Sequence, residues 1–230
     1  MAFTAQDVKA LREKTGVGMM ECKKALVEAD GDMDKAVDFL RERGLAAAAK
    51  KATRIAAEGV VLPYYDAEAK KGVVVEVNSE TDFVAKNEKF MSFVEGVAKT
   101  ILATNPADVE ALKEEKFDGT DRTVTETLND LVLSIGENMK VRRFERMDGI
   151  VSTYIHGGGS VGVMVGFDVA DESKAATAEF DAMGKNVAMQ IAAMSPAYLD
   201  EASVPAEVVE HEKTILAAQM KEDPKMASKP

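Results

Sequence analysis

Asn78-Ser79-Glu80-Thr81-Asp82-Phe83-Val84-Ala85-Lys86-Asn87 is the hinge of this chain, because an apolar strand ends on one side of it and a long helix begins on the other. Before it, Val73, Val74, Val75 and Val77 form a β-branched run that suits a buried strand. After it, Phe90, Phe93, Val94, Val97 and Ile101 recur at helical spacing and predict one buried helix face. The polar turn between them has two candidate helix caps, Thr81 and Asn87, and Asp82 stands where a helix dipole favours a negative charge. Phe83 is open to two readings. A helix beginning at Thr81 makes it the top of the buried stripe; a helix capped by Asn87 leaves it on a loop.

The 230 residues suffice for one large domain or a domain with a smaller module, and 46% apolar residues suffice for a packed core. The start of the chain has no basic stretch followed by an apolar run, and no segment approaches bilayer-spanning length, so the expected location is the cytoplasm. A single cysteine, Cys22, has no partner for an internal disulfide, and no Cys/His cluster has metal-ligand spacing; neither a metal nor a cofactor is expected. The net charge of −11 is uneven: residues 1–57 hold 11 Lys/Arg against 9 Asp/Glu, leaving −13 for the remainder. An acidic body repels a phosphate backbone, which argues against nucleic acid and in favour of a protein partner.

The first 57 residues read as three short helices and a linker. Thr4 with Asp7 forms a capping-box pattern ahead of Val8 and Leu11, and Thr15-Gly16-Val17-Gly18 breaks the chain. A second helix from about Met19 to Ala29 turns Cys22, Ala25, Leu26 and Ala29 inward; a third, after Asp30-Gly31-Asp32, carries Met33, Ala36, Val37 and Leu40. Gly44 is expected to end the third helix in a left-handed cap, with Leu45 to Ala57 as a helical linker. Met19 and Met20 follow a glycine-flanked turn: either they plug the small core, or they stay exposed as flexible contact residues.

From Glu58 the pattern becomes mixed. Gly59 to Tyr65 and Gly72 to Asn78 read as a hairpin, followed by helices at about Glu88 to Ala103 and Arg122 to Met139. Strands are expected at Val141 to Met147, Ile150 to His156 and Val161 to Val169, then a helix Ser173 to Ala193 with Phe180, Met183, Val187, Ile191 and Met194 as one stripe. The fold class is α+β. Gly157 to Gly162 matches both the dinucleotide fingerprint and the nucleophile elbow, yet each needs a helix directly afterwards, and here alternating Val161, Val163, Val165 and Phe167 predict a strand. The glycine run is therefore read as a hairpin loop. No acid/base pair, activated nucleophile or phosphate loop emerges, and an enzyme is not expected.

Four separated stretches, ALREKTGVGMMECKKAL (Ala10 to Leu26), TDFVAKN (Thr81 to Asn87), IGENMKVRRF (Ile135 to Phe144) and YIHGGGSVGVMV (Tyr154 to Val165), resemble the bacterial elongation factor Ts family, in the same order. The resemblance implies a ubiquitin-associated-like helical module at 1–57, a two-subdomain core of small antiparallel sheets packed with helices at 58–140 and 141–195, and the start of a coiled-coil dimerisation hairpin at 196–230. It also implies a guanine nucleotide exchange factor that promotes GDP release from elongation factor Tu during translation elongation. Asp82 and Phe83 would wedge near the partner's Mg²⁺ and phosphate site; Thr81, Ile135, Gly136 and His156 would contact the partner, and Met19, Met20 and Lys23 would anchor the module on it. Ala206 to Met220 carries the apolar face Val208, Val209, Ile215, Leu216 and Met220, and Lys225 to Pro230 stops short of a returning helix. The expectation is a shortened form with incomplete self-association, or a face covered by another chain. The competing reading is an adaptor that binds a GTPase or another protein without changing nucleotide affinity.

Overall fold

The computed structural model describes residues 3–222, so the segment Lys225 to Pro230 lies outside the described residues. Helix α1 (Ala5–Thr15) opens with the expected capping box: the Asp7 N–H donates to Thr4 Oγ1 at 3.3 Å, and the Thr4 N–H to Asp7 Oδ2 at 2.7 Å. Helices α2 (Met19–Glu28) and α3 (Met33–Lys51) follow, the latter capped by Asp32 accepting from the N–H groups of Asp34 and Lys35. Val8, Leu11, Cys22, Ala25, Leu26, Ala36 and Leu40 close into a small core between the three.

Strands β1 (Glu58–Asp66) and β2 (Lys71–Ser79) form the hairpin, and β2 runs into α4 (Asp82–Ala85) and α5 (Glu88–Thr104). The short α6 (Val109–Glu114) precedes α7 (Val124–Ile135). Strand β3 (Lys140–Asp148) then pairs antiparallel with β2, giving a sheet in the order β1-β2-β3. The pairings Val60 with Val77, Leu62 with Val75 and Tyr64 with Val73 place these side chains on one face of the sheet. Phe90, Phe93, Val94, Val97 and Ile101 of α5 belong to the same buried cluster. Burying each such phenylalanine contributes about 1.5–3 kcal/mol to the stability of the core.

Strands β4 (Ile150–His156) and β5 (Val161–Phe167) form a separate two-stranded sheet, joined by the glycine loop as expected. Helices α8 (Glu172–Ala175) and α9 (Ala178–Met194) follow. Two compact units emerge, the first reaching Ala192. The second holds a one-turn 3-10 helix and α10 (Ala206–Glu222), which carries Val209, Ile215, Leu216 and Met220 exposed. No helix among the described residues is long and apolar enough to cross a membrane.

Several expectations are corrected. Gly44 does not end α3: the helix runs through it to Lys51, because Gly44 is buried against the Asn129 carbonyl of α7 and a small residue lets the two helices approach. Leu45 to Lys51 are thus helical as part of α3, with Ala48 packed on the main core, and residues 52–57 connect that helix to the first strand. The helix expected to reach Met139 stops at Ile135, where Gly136 takes φ 93°, a left-handed cap that favours glycine. On α9 the inward line is Phe180, Gly184, Ala188 and Ile191; Met183, Val187 and Met194 are exposed. Finally, β3, assigned by sequence to the second half of the core, is the third strand of the first sheet.

Candidate partner-binding site

The turn after β2 contains both caps at once. Thr81 is the backbone N-cap of α4 without a side-chain bond, and one turn later Asn87 Oδ1 accepts from the Lys89 N–H at 2.9 Å to cap α5. Two short starts in succession leave α4 a single turn long. Val84 is the residue of that turn that enters the core, whereas Phe83 is 80% exposed. A large aromatic left in water on an ordered turn gives up the stabilisation its burial would bring, so the core gives no reason for its presence here. Beside it, Asp82 is also exposed and accepts from Lys86 Nζ at 2.9 Å; this hydrogen bond and the attraction of the ammonium hold the Asp82 carboxyl below its usual range.

The turn is held by Val84 in the core, by Ser79 Oγ donating to the Thr81 carbonyl at 2.9 Å, and by a residue distant in sequence. Glu137, directly after the Gly136 cap, reaches across to it: Oε2 accepts from the N–H groups of Glu80 at 3.1 Å and Thr81 at 3.0 Å, and Oε1 accepts from Thr81 Oγ1 at 2.7 Å. Glu80 reciprocates, its Oε1 accepting from the Asn138 N–H at 2.6 Å, and Asn138 Nδ2 donates to the Arg54 carbonyl at 2.7 Å. Thus TDFVAKN and IGEN, far apart in sequence, are locked edge to edge. Next to Arg54, Ile55 is 85% exposed, a second apolar side chain in water beside the same node. The signal in the sequence was an acidic residue immediately after a glycine cap; nothing in it named the N–H groups opposite.

The glycine loop lies on the other side of Asp82. The Val61 N–H of β1 donates to the Gly159 carbonyl at 2.7 Å, and an added Cβ at Gly159, whose φ is 103°, would stand 2.9 Å from Val60. Close approach of the hairpin to β1 explains this glycine, and the strand β5 that follows offers no helix N-terminus for a phosphate. A cleft of about 470 Å³ is lined by Gly157, Gly158, Gly159, Asp82 and Lys86. His156 at the edge of the loop is exposed, its Nδ1 lying 3.0 Å from Tyr154 Oη.

The remaining positions fall as follows. Ile135 is half-buried and packs on the main core, while Gly136 is exposed. Met19 and Met20 are 47% and 65% exposed, which answers the question the sequence left open, and Lys23 is exposed on the same helix. The module is fastened to the core near these residues: Lys89 Nζ donates to the Gly16 carbonyl at 2.9 Å, and Leu133 of α7 packs on the module's own core. The residues group into a turn with Thr81, Asp82, Phe83 and Gly136, a loop with His156, and a helix end with Met19, Met20 and Lys23. Among the described residues no group of three or more His, Cys, Asp or Glu is placed to hold a metal ion.

Comparison with known proteins bears on these groups. A family model described as Elongation factor TS matches residues 80–230, beginning at the residue that opens the locked turn. The chain is similar to an Elongation factor Ts of Clostridium perfringens strain 13, 54% identical over 220 residues, which are 94% of this chain and 71% of that protein. It is similar to the Elongation factor Ts of Syntrophotalea carbinolica, 51% identical over 228 residues, 98% of this chain and 74% of the other. It is also similar to the Elongation factor Ts of Clostridium botulinum strain Eklund 17B, 48% identical over 220 residues, again 94% and 71% of the two chains.

Proposed function

The chain belongs to the elongation factor Ts family, and from that premise we propose that it is a cytoplasmic guanine nucleotide exchange factor that promotes GDP release from elongation factor Tu. The observation that carries this reading is Phe83, exposed at the tip of an ordered turn with Asp82 beside it. A factor that binds the nucleotide-free form of a GTPase more tightly than the loaded form must weaken the nucleotide by the same coupling free energy, and it needs no acid, base or metal of its own. Inserting one phenylalanine only into the distorted state is worth about 1.5–3 kcal/mol, a roughly tenfold to hundredfold shift in population. Larger shifts require further contacts. Asp82 would disturb hydrogen bonding near the partner's Mg²⁺ and phosphate site, Ile135, Gly136 and His156 would extend the contact, and Met19, Met20 and Lys23 would anchor the module.

Release of a fluorescent GDP analogue from elongation factor Tu, followed with the wild-type chain and with Phe83→Ala, tests the reading. The expected result is acceleration by wild type and a loss of about tenfold or more in the variant, with its thermal unfolding unchanged. A folded Phe83→Ala that exchanges as fast as wild type would remove the aromatic wedge from the mechanism. Binding without acceleration by either chain would favour an adaptor.

A further inference from the structure

We propose that Glu137 is a positioning residue for exchange: its carboxylate holds the Thr81–Phe83 turn in the one conformation that presents Phe83, and does so without touching the partner itself. The proposal rests on the reading of Phe83 given above. Its ground is the unequal way in which the turn is held. Val84 anchors the C-terminal side of α4 in the core and Ser79 Oγ donates to the Thr81 carbonyl at 2.9 Å, but Phe83 and Asp82 themselves are exposed, and α4 is only four residues long, too short to be stable alone. Helix start α4 lacks a side-chain cap from Thr81, because the Thr81 hydroxyl is turned to Glu137 Oε1 at 2.7 Å instead. The N–H groups of Glu80 and Thr81 converge on Oε2 of the same carboxylate, at 3.1 and 3.0 Å. One side chain thus takes three donors from two consecutive residues next to Phe83, and hydrogen bonds to a charged acceptor are the strong ones. The far end is equally fixed, since Gly136 ends α7 just before Glu137 and the Asn138 N–H returns to Glu80 Oε1 at 2.6 Å.

A flexible turn lowers the apparent activity of Phe83 by the fraction of time it is out of place. Truncating Glu137 strips three hydrogen bonds from the turn, and exchange is expected to slow about tenfold. Glutamine keeps most of the geometry, because its carbonyl oxygen accepts from both N–H groups while the Thr81 hydroxyl reverses to accept from its amide. Glu137→Gln therefore restores exchange to within about threefold of wild type.

The test measures release of a fluorescent GDP analogue from elongation factor Tu with full chains carrying Glu137→Ala, Glu137→Gln, Phe83→Ala and the Glu137→Ala/Phe83→Ala pair. The expected result is that Glu137→Ala slows release when Phe83 is present and has no further effect in a chain already carrying Phe83→Ala. A general loss of structure would instead multiply with Phe83→Ala. If Glu137→Ala melts below the assay temperature, Thr81→Val replaces it, removing one of the three bonds, with an expected loss of about threefold that again vanishes once Phe83→Ala is in place. Independent losses, a Glu137→Ala chain as fast as wild type, or a Glu137→Gln chain as slow as Glu137→Ala would each overturn the positioning role while leaving a slow Phe83→Ala, and so the wedge, in place. A Phe83→Ala chain as fast as wild type would overturn both.

Discussion

Glu76 lies on the central strand of the first sheet, 8% exposed, with Arg142 and Arg143 each donating to it at 2.7 Å and Asn78 Nδ2 at 3.2 Å. Neighbouring residues on a strand ordinarily point to opposite faces, but the β2–β3 register shifts between Glu76 and Val77, and the extra residue swings both arginines to one carboxylate. Burial pushes the Glu76 carboxyl up, and the hydrogen bonds from Arg142, Arg143 and Asn78 outweigh it, so the group ends below its ordinary value. A carboxylate with a depressed folded value stabilises the protein above its unfolded value, about pH 4.3, and that contribution is lost as pH falls through the lower folded value. Glu76→Gln should therefore cost about 1–2 kcal/mol at neutral pH, and the gap from wild type should close in the acid range when urea midpoints are compared across pH. A gap that does not change with pH would contradict this account. Phe83 and Glu76 mark the limits of reading single residues: local spacing left Phe83 between core and loop, and a β-bulge that gathers two arginines has no signature in the strand pattern.

Among the elements, helices with large apolar residues at regular spacing were legible, and those whose close approach depends on small residues were not. The stripe of α5 is buried as its spacing implies. On α9 the buried positions are Gly184 and Ala188, one step round from Met183 and Val187, because contact with the β4–β5 sheet leaves no room for larger side chains: an added Cβ at Gly184 would collide with Ser152 Oγ. Gly44 on α3 misleads in the same manner, being a helix-packing residue in the guise of a cap. The two readings of Gly44 differ in sign. In a continuous helix Gly44→Ala gains about 0.5–1 kcal/mol of helix stability, and its Cβ would meet the Asn129 carbonyl at 3.4 Å, an ordinary contact. A left-handed cap would make the same change destabilising. Thermal unfolding of Gly44→Ala should give an unchanged or raised midpoint, and a clear drop would count against a helix that passes through this position.

At the scale of the whole molecule, the helical module and the β1-β2-β3 sheet with its helices belong to one compact unit, joined where α3 meets α7 and where Lys89 reaches the Gly16 carbonyl. The α+β class, the three opening helices, the five strands among the described residues and the hairpin nature of the glycine loop were legible from hydrophobic period and turn chemistry. The candidate site was legible only in pieces, since the turn and the glycine loop are placed by long-range bonds to Glu137 and Gly159 that no local pattern encodes. Exchange is a claim about turnover, and binding alone cannot establish it. The most direct measurement is release of a fluorescent GDP analogue from elongation factor Tu in the presence of excess unlabelled GDP, with this chain present at a small fraction of the GTPase concentration. Complete, accelerated release, with each molecule of the chain serving many of the GTPase, is the predicted result. Release that stops in proportion to the amount of chain added, or that never departs from the spontaneous rate, would contradict it.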